Sequence, residues 1–359
     1  MLTSLVDSQI IELIRIGYIR DHSSGRNLKE LVQPASLDLP LGDKLYVLKN
    51  KFLPLHDDVE DIIEDNSIEK IDLDENGVIL YKGNTYLVPI ADIDLPDSLS
   101  ARLSPKSSIG RTDLLVRGIF DRTGLYDTIQ ESTKGRLYLE CTPQSFNIRV
   151  RRGDTLSQMM LFDENHCPMD ISDQNLLYDD TGQPLENTFY DENKTRLLMS
   201  LDLSSFDIVG YKSRTTNEAI DLRKKDHDSN DFFEPIKNER GRITLEKDKF
   251  YIFCTRERVS IPLQLSSEMV PFFNLVGELR VHYAGFFDPG FGYGENGEIK
   301  GLKGVLEVRP HETMTVEDGQ PICLMEFYKN KKLPSIGYGT RRGNNYSSQE
   351  GPRLAKYFK

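Results

Sequence analysis

The chain repeats itself, and that constrains its fold more than any other feature. Residues 95–111 (LPDSLSARLSPKSSIGR) align with residues 261–277 (IPLQLSSEMVPFFNLVG) at an offset of 166, pinned by Pro96 with Pro262 and Pro105 with Pro271. GIFD at 118–121 matches GFFD at 285–288, and YLE ending at Glu140 matches VLE ending at Glu307, both at offset 167. VRRGDTLSQMMLF at 150–162 matches VEDGQPICLMEFY at 316–328, again at 166. A constant offset with one-residue slips points to two copies of one domain, which also suits a length of 359 residues.

The texture within each copy is mostly β. NTYLVPI, GRLYLEC, FNIRV, KFYIFC and GVLEV are short runs of Val, Ile, Tyr, Phe and Leu, punctuated by Gly, Pro, Asn and Asp. Such spacing suits a sandwich or barrel. Helices are few. Val6, Ile10, Leu13 and Ile14 recur on one face of residues 5–17, with Asp7 and Glu12 between them, which predicts an amphipathic helix and not a signal peptide. The copies divide after Phe162, giving a first domain at 1–165, a second at 166–337 and a tail at 338–359. Residues 163–193 hold nine Asp/Glu and no Lys or Arg, and read as a connector with the start of the second copy.

Cys141, Cys167, Cys254 and Cys323 are far apart and form no C-x-x-C pair, so a reducing, cytoplasmic setting is expected. No apolar run is long enough to span a membrane. His22, His56, His227 and His311 lack ligand-like spacing and are expected at the surface. Residues 57–76, with ten acids and only Lys70 as a cation, are expected to form a solvated excursion.

Three segments can carry chemistry. SPKSSIGR (104–111) gathers hydroxyls, a Gly and two cations. It is either a polar loop between strands or a cradle for a phosphate or a polarised water. HYAGFFDPGFGYG (282–294) sets a DPG turn beside aromatics that could wall a flat base, or is an ordinary β-turn. Glu307 lies between apolar neighbours on an apparent strand. Its carboxylate either faces solvent or sits in a pocket with the raised pKa that general acid/base work requires.

Together these pieces resemble the dCTP deaminase branch of the dUTPase-like superfamily, over most of the chain. LVQPASLDLPLGDKLYVL, from Leu31, looks like the family's first motif. PKSSIGR looks like its R-S-S-L-x-R motif, with Lys106 in place of the first Arg. AGFFDPGFG looks like A-x-x-I-D-P-G-[FW], and GVLEV like the catalytic L-E-[FV] strand. YGTRRGNNYSSQEGP, from Tyr338, looks like the nucleotide-covering tail, with Tyr338 and Gln349 in the expected places and Asn345 where Lys is usual. The resemblance implies a mainly β protein of two tandem, distorted, jelly-roll-like β-barrels with a short N-terminal helix. It also implies threefold or pseudo-threefold barrel packing in a homo-oligomer.

The copies have lost complementary parts. Copy one keeps Ser107, Ser108 and Arg111 where copy two has Phe273, Asn274 and Gly277. Copy two keeps Ala284 and the Asp288-Pro289-Gly290 turn where copy one has Arg117 and Asp121-Arg122-Thr123. A composite site is expected, with Ser107 and Arg111 from one copy and Ala284 and Glu307 from the other, leaving Glu140 a relic or a structural residue. The implied reaction is hydrolytic deamination at C4 of the cytosine of dCTP. Water would be held by Glu307, the Ser107 hydroxyl and the Ala284 carbonyl, Glu307 would shuttle protons, and Arg111 would orient the network. Lys106, Ser108, His282, Asp288, Tyr338, Asn345 and Gln349 are the expected nucleotide contacts, with Mg²⁺ bridging the triphosphate. No zinc is expected: the H-x-E … P-C-x-x-C signature of zinc deaminases is missing, and His166-Cys167 is an isolated pair. The rivals are a bifunctional enzyme that also releases diphosphate to give dUMP, a dUTPase alone, and an inactive nucleotide-binding regulatory module.

The formal charge of −12 argues against a nucleic-acid partner. It does not argue against a triphosphate, because attraction is set by local arrangement. Much of the acid lies in residues 57–76 and 163–193, whereas residues 329–359 carry eight Lys/Arg against Glu350 alone.

Overall fold

The computed structural model describes residues 2–163, 171–271, 279–282, 285–339 and 349–359, with backbone only at 271 and 279–282. The protein is mainly β, as the alternation of its short apolar runs predicts. Among the described residues the strands form five sheets, none of which closes into a cylinder.

Two six-stranded sheets share a central ladder order. In the first, Thr85–Asp94 pairs with Lys134–Pro143, which pairs with Leu114–Phe120. In the second, Tyr251–Val259 pairs with Leu302–Pro310, which pairs with Leu279–His282. Glu140 and Glu307 therefore stand on corresponding central strands. A nine-stranded sheet joins the two halves. Thr155–Asp163 and Pro321–Asn330 flank the two-residue strand Thr3–Ser4, which runs antiparallel to the former and parallel to the latter.

This N-terminal strand is fastened by side chains as well as by its ladder. Ser4 Oγ donates to Asn330 Oδ1 at 2.7 Å, Ser266 Oγ donates to the same oxygen at 2.6 Å, and Asn330 Nδ2 donates to the Leu263 carbonyl at 2.8 Å. Beside it Phe162 and Tyr328 meet edge to face at 4.8 Å. The Arg102 guanidinium lies over both rings and pairs with Glu268.

The amphipathic helix forms at Asp7–Ile16, burying Ile10 and Leu13. It ends at Gly17, whose φ of +96° suits a residue without Cβ. Two expectations are refined. Residues 57–76 are solvated, with their acids at the surface, but they are ordered: Val59–Asn66 is a helix that leads directly into the strand Ser67–Asp72. Val59 and Ile63 pack on Ile119 and Tyr138, so two apolar residues one turn apart outweigh the acidic surround. His227 is not a simple surface residue either. Its Nε2 accepts from the Asp221 amide at 2.9 Å and its ring packs on Phe232 and Phe358.

Asn330→Ala removes three side-chain hydrogen bonds at the seam, at about 0.5–1.5 kcal/mol each. It is therefore expected to lower the unfolding free energy by about 2–4 kcal/mol in chemical denaturation.

Candidate active site

The strand Leu302–Pro310 is buried along its whole length, and its side chains alternate between two environments. Leu302, Leu306 and Val308 enter the core of the second half, while Val305 enters that of the first. Lys303, Glu307 and Arg309 share the Val305 face. Each is met by an opposite charge: Lys303 by Asp202 at 2.7 Å, Glu307 by Arg111, and Arg309 by Asp113.

Glu307 is 1% exposed, and its Oε1 lies 3.6 Å from Arg111 Nε. Its Oε2 has no hydrogen-bond partner among the described residues. Burial pushes the carboxyl pKa up to about 8, with the Arg111 charge pulling the other way. Arg111 follows the short helix Ser107–Gly110, which the sequence left open as a loop. Its Nη2 donates to Gln349 Oε1 at 2.9 Å and its Nη1 to the Arg353 carbonyl at 3.2 Å. Gln349 in turn donates to the Lys303 carbonyl at 2.6 Å, so this one side chain joins the arginine of the first half to the strand of the second.

Ser107, Arg111, Phe286, Phe287, Asp288, Phe291, Val305, Glu307, Tyr338 and Gln349 enclose a cavity of about 50 Å³, room for water but not for a nucleotide. Gly285 brings the turn against the serine: a Cβ there would lie 3.0 Å from Ser107 Oγ and 3.2 Å from Gln158 Nε2. Asp288 accepts from the Ala35 amide at 3.1 Å, and burial raises its pKa to about 7. The Tyr338 amide donates to the Pro289 carbonyl at 2.7 Å, over Gly290, whose φ of +95° admits no bulkier residue.

Of the residues singled out from sequence, Ser107, Arg111, Asp288, Glu307, Tyr338 and Gln349 meet at this cavity. Lys106 pairs instead with Asp38 and donates to Thr155 Oγ1 at 3.0 Å, and Ser108 Oγ accepts from the Tyr357 hydroxyl at 3.4 Å. His282 stands opposite Glu307 in the ladder. The His282 side chain, Ala284, Asn345, His166 and Cys167 lie outside the described residues, as do Phe273, Asn274 and Gly277. Among the described residues no three His, Cys, Asp or Glu side chains are grouped to hold a metal. Sequence reasoning missed Asp113 and Arg309. The alternation Lys303, Val305, Glu307, Arg309 was a signal that could have found the latter.

Glu140 offers the internal comparison. It too is 1% exposed, and burial raises its pKa. Lys51 Nζ, however, lies 3.2 Å from its carboxylate. Arg117, opposite it in the ladder, pairs with Asp127 and sits 4.3 Å over the Tyr126 ring.

Residues 3–165 match the family model of the 2'-deoxycytidine 5'-triphosphate deaminase (DCD) N-terminal domain, and residues 172–358 that of its C-terminal domain. No curated protein matches significantly. Among solved structures, the crystal structure of 2'-deoxycytidine 5'-triphosphate deaminase from Agrobacterium tumefaciens is similar at 34% identity and a TM-score of 0.81. The alignment covers 93% of this chain and 99% of that one. With both domain models in order and a solved relative aligned almost end to end, the chain belongs to the dCTP deaminase family.

Proposed function

We propose that this protein hydrolyses dCTP to dUTP and ammonia, with Glu307 as the general acid/base. The observation that carries this reading is the Glu307 carboxylate. It is buried, lacks a partner at Oε2 among the described residues, and sits in a cavity whose lining comes from both halves. An unsatisfied buried acceptor costs about 1–3 kcal/mol, a cost offset if the group takes part in chemistry.

In the proposed reaction Glu307 as carboxylate takes a proton from a water as that water's oxygen bonds to C4 of cytosine, and passes the proton to N3. It then takes the proton of the new C4 hydroxyl and delivers it to the amino group. The C4–N bond breaks, ammonia leaves and the C4 carbonyl forms. Ser107 and the Ala284 carbonyl orient the water, and Arg111 stabilises the carboxylate between transfers. The triphosphate enters with its Mg²⁺ as part of the substrate, toward Lys106, Ser108, His282, Asn345 and the basic tail. No zinc is assigned a role, and stoichiometric zinc in the purified active protein would overturn that. Admission of the nucleotide requires Tyr338 and Gln349 to withdraw from a cavity this small. Glu140, already neutralised by Lys51, is assigned a structural role. A homo-oligomer with threefold or pseudo-threefold packing remains part of this reading, and solution mass measures it.

Incubation with Mg·dCTP decides the activity. Ammonia without diphosphate is the expected result. Both products together would mark a bifunctional enzyme, diphosphate alone a dUTPase, and tight binding without products an inactive module. Glu307→Gln is expected to lower kcat by about 10²–10⁴, with Glu140→Gln close to wild type. Loss only in the Glu140 variant would reverse the assignment.

The pH dependence has a definite sign. Glu307 must be ionised to accept the water's proton, so kcat/KM is expected to rise with pH toward a limb near 8. Arg111 faces it, and Asp288 and Tyr338 lie on the same cavity.

Stability runs the opposite way. A carboxyl whose pKa is higher folded than unfolded stabilises fully below its unfolded value, and that contribution is lost as pH rises through the folded one. Thermal stability should therefore fall between the ordinary 4.5 and about 8, with Asp288 acting in the same direction up to about 7. Glu307→Gln should melt progressively higher than wild type across that window in calorimetry.

A further inference from the structure

Two ion pairs of opposite polarity cross between the same two segments. Arg111 of the first half faces Glu307 of the second, and two residues along each segment Asp113 faces Arg309. Asp113 is 2% exposed and Arg309 9% exposed. Arg309 Nη2 also donates to Ser145 Oγ at 2.9 Å, and its Nη1 donates to the Asp248 carbonyl. Asp113 takes a positive φ of 55°, an unfavourable conformation for a residue with a Cβ, and that directs the chain toward this contact.

Polarity makes this arrangement specific. A slip of two residues would set Asp113 against Glu307, or Arg111 against Arg309, placing like charges together in a buried seam. Burying an ion pair is poor evidence for stability, since apolar side chains of similar volume serve as well. Selection of one register is the better-attested use of such pairs. Glu307 and Arg309 lie on one strand face about 7 Å apart, so a register held at Arg309 is a register held at Glu307.

We propose that Asp113 and Arg309 are positioning residues, whose ion pair sets the register of the Arg111 loop against the Glu307 strand and so holds the Glu307 carboxylate beside Arg111. This rests on Glu307 being the reacting carboxylate. The pair touches neither the cavity nor the substrate proposed for it, and acts through Glu307 and Arg111.

The test uses the full chain and Mg·dCTP, following ammonia release. Asp113→Asn is expected to lower kcat about tenfold or more, as a small misplacement does, with KM within about threefold. Ser145→Ala removes one Arg309 contact and should shift kcat the same way by less. Arg102→Met breaks another cross-half pair, away from the cavity, and should lower the melting temperature while kcat stays at the wild-type value. If Asp113→Asn and Ser145→Ala lower the melting temperature and leave kcat unchanged, the pair is structural only and the proposal fails. Should Asp113→Asn not fold, Ser145→Ala alone decides. If the wild type releases no ammonia, the functional reading fails. The register claim then stands or falls on the crystal structure of the Ser145→Ala or Asp113→Asn protein. An Arg111–Glu307 separation unchanged from 3.6 Å overturns it, and a lengthened one supports it.

Discussion

The two-sidedness of the strand Leu302–Pro310 governs the rest of the molecule. This strand is buried on both faces, and its period of two assigns alternate side chains to each. Here one face completes an apolar core through Leu302, Leu306 and Val308. The other turns Lys303 onto Asp202 within the second half and carries Glu307 and Arg309 into the seam between halves. Charges in a dry interface are tolerable only if each finds a partner. Arg111 and Asp113 thus dictate how the first half must lie. The site follows from that docking: wherever Arg111 meets Glu307, Ser107 and the Asp288 turn arrive with them.

Much of this was legible in the sequence, for identifiable reasons. The β texture follows from a period of two and from turn residues, which are local signals. The composite site followed from complementary losses, such as Ser107 and Arg111 facing Phe273 and Gly277 in the alignment. Less legible were features that depend on what lies opposite in space. Two apolar residues in an acidic stretch were enough to seat the helix Val59–Asn66, because Ile119 and Tyr138 wait beneath it. The pairing of Lys106 with Asp38 was not legible either, because the partner lies 68 residues away. Asp113 had no distinguishing neighbour in sequence at all. Its partner is 196 residues away.

Glu140 and Glu307 stand in closely similar surroundings, each with an Oε2 that has no hydrogen-bond partner among the described residues. Both are buried to the same degree on matching strands. Lys51 reaches the first with a flexible ammonium, close enough to cancel its charge. Arg111 faces the second at a longer distance, with two of its nitrogens committed to Gln349 and Arg353. The neighbouring cation, and what else restrains it, distinguishes the two.

Gln349 also gives the molecule a temporal order. It bonds Arg111 across 238 residues and the Lys303 carbonyl across 46, while Tyr357 touches Ser108 across 249. During synthesis the first half has its serine and arginine ready long before the segment that covers them exists. Contacts this distant in sequence form late, after loop closure has been met elsewhere. On a growing chain the cavity beside Ser107 and Arg111 is therefore open, and its cover is among the last pieces to be set.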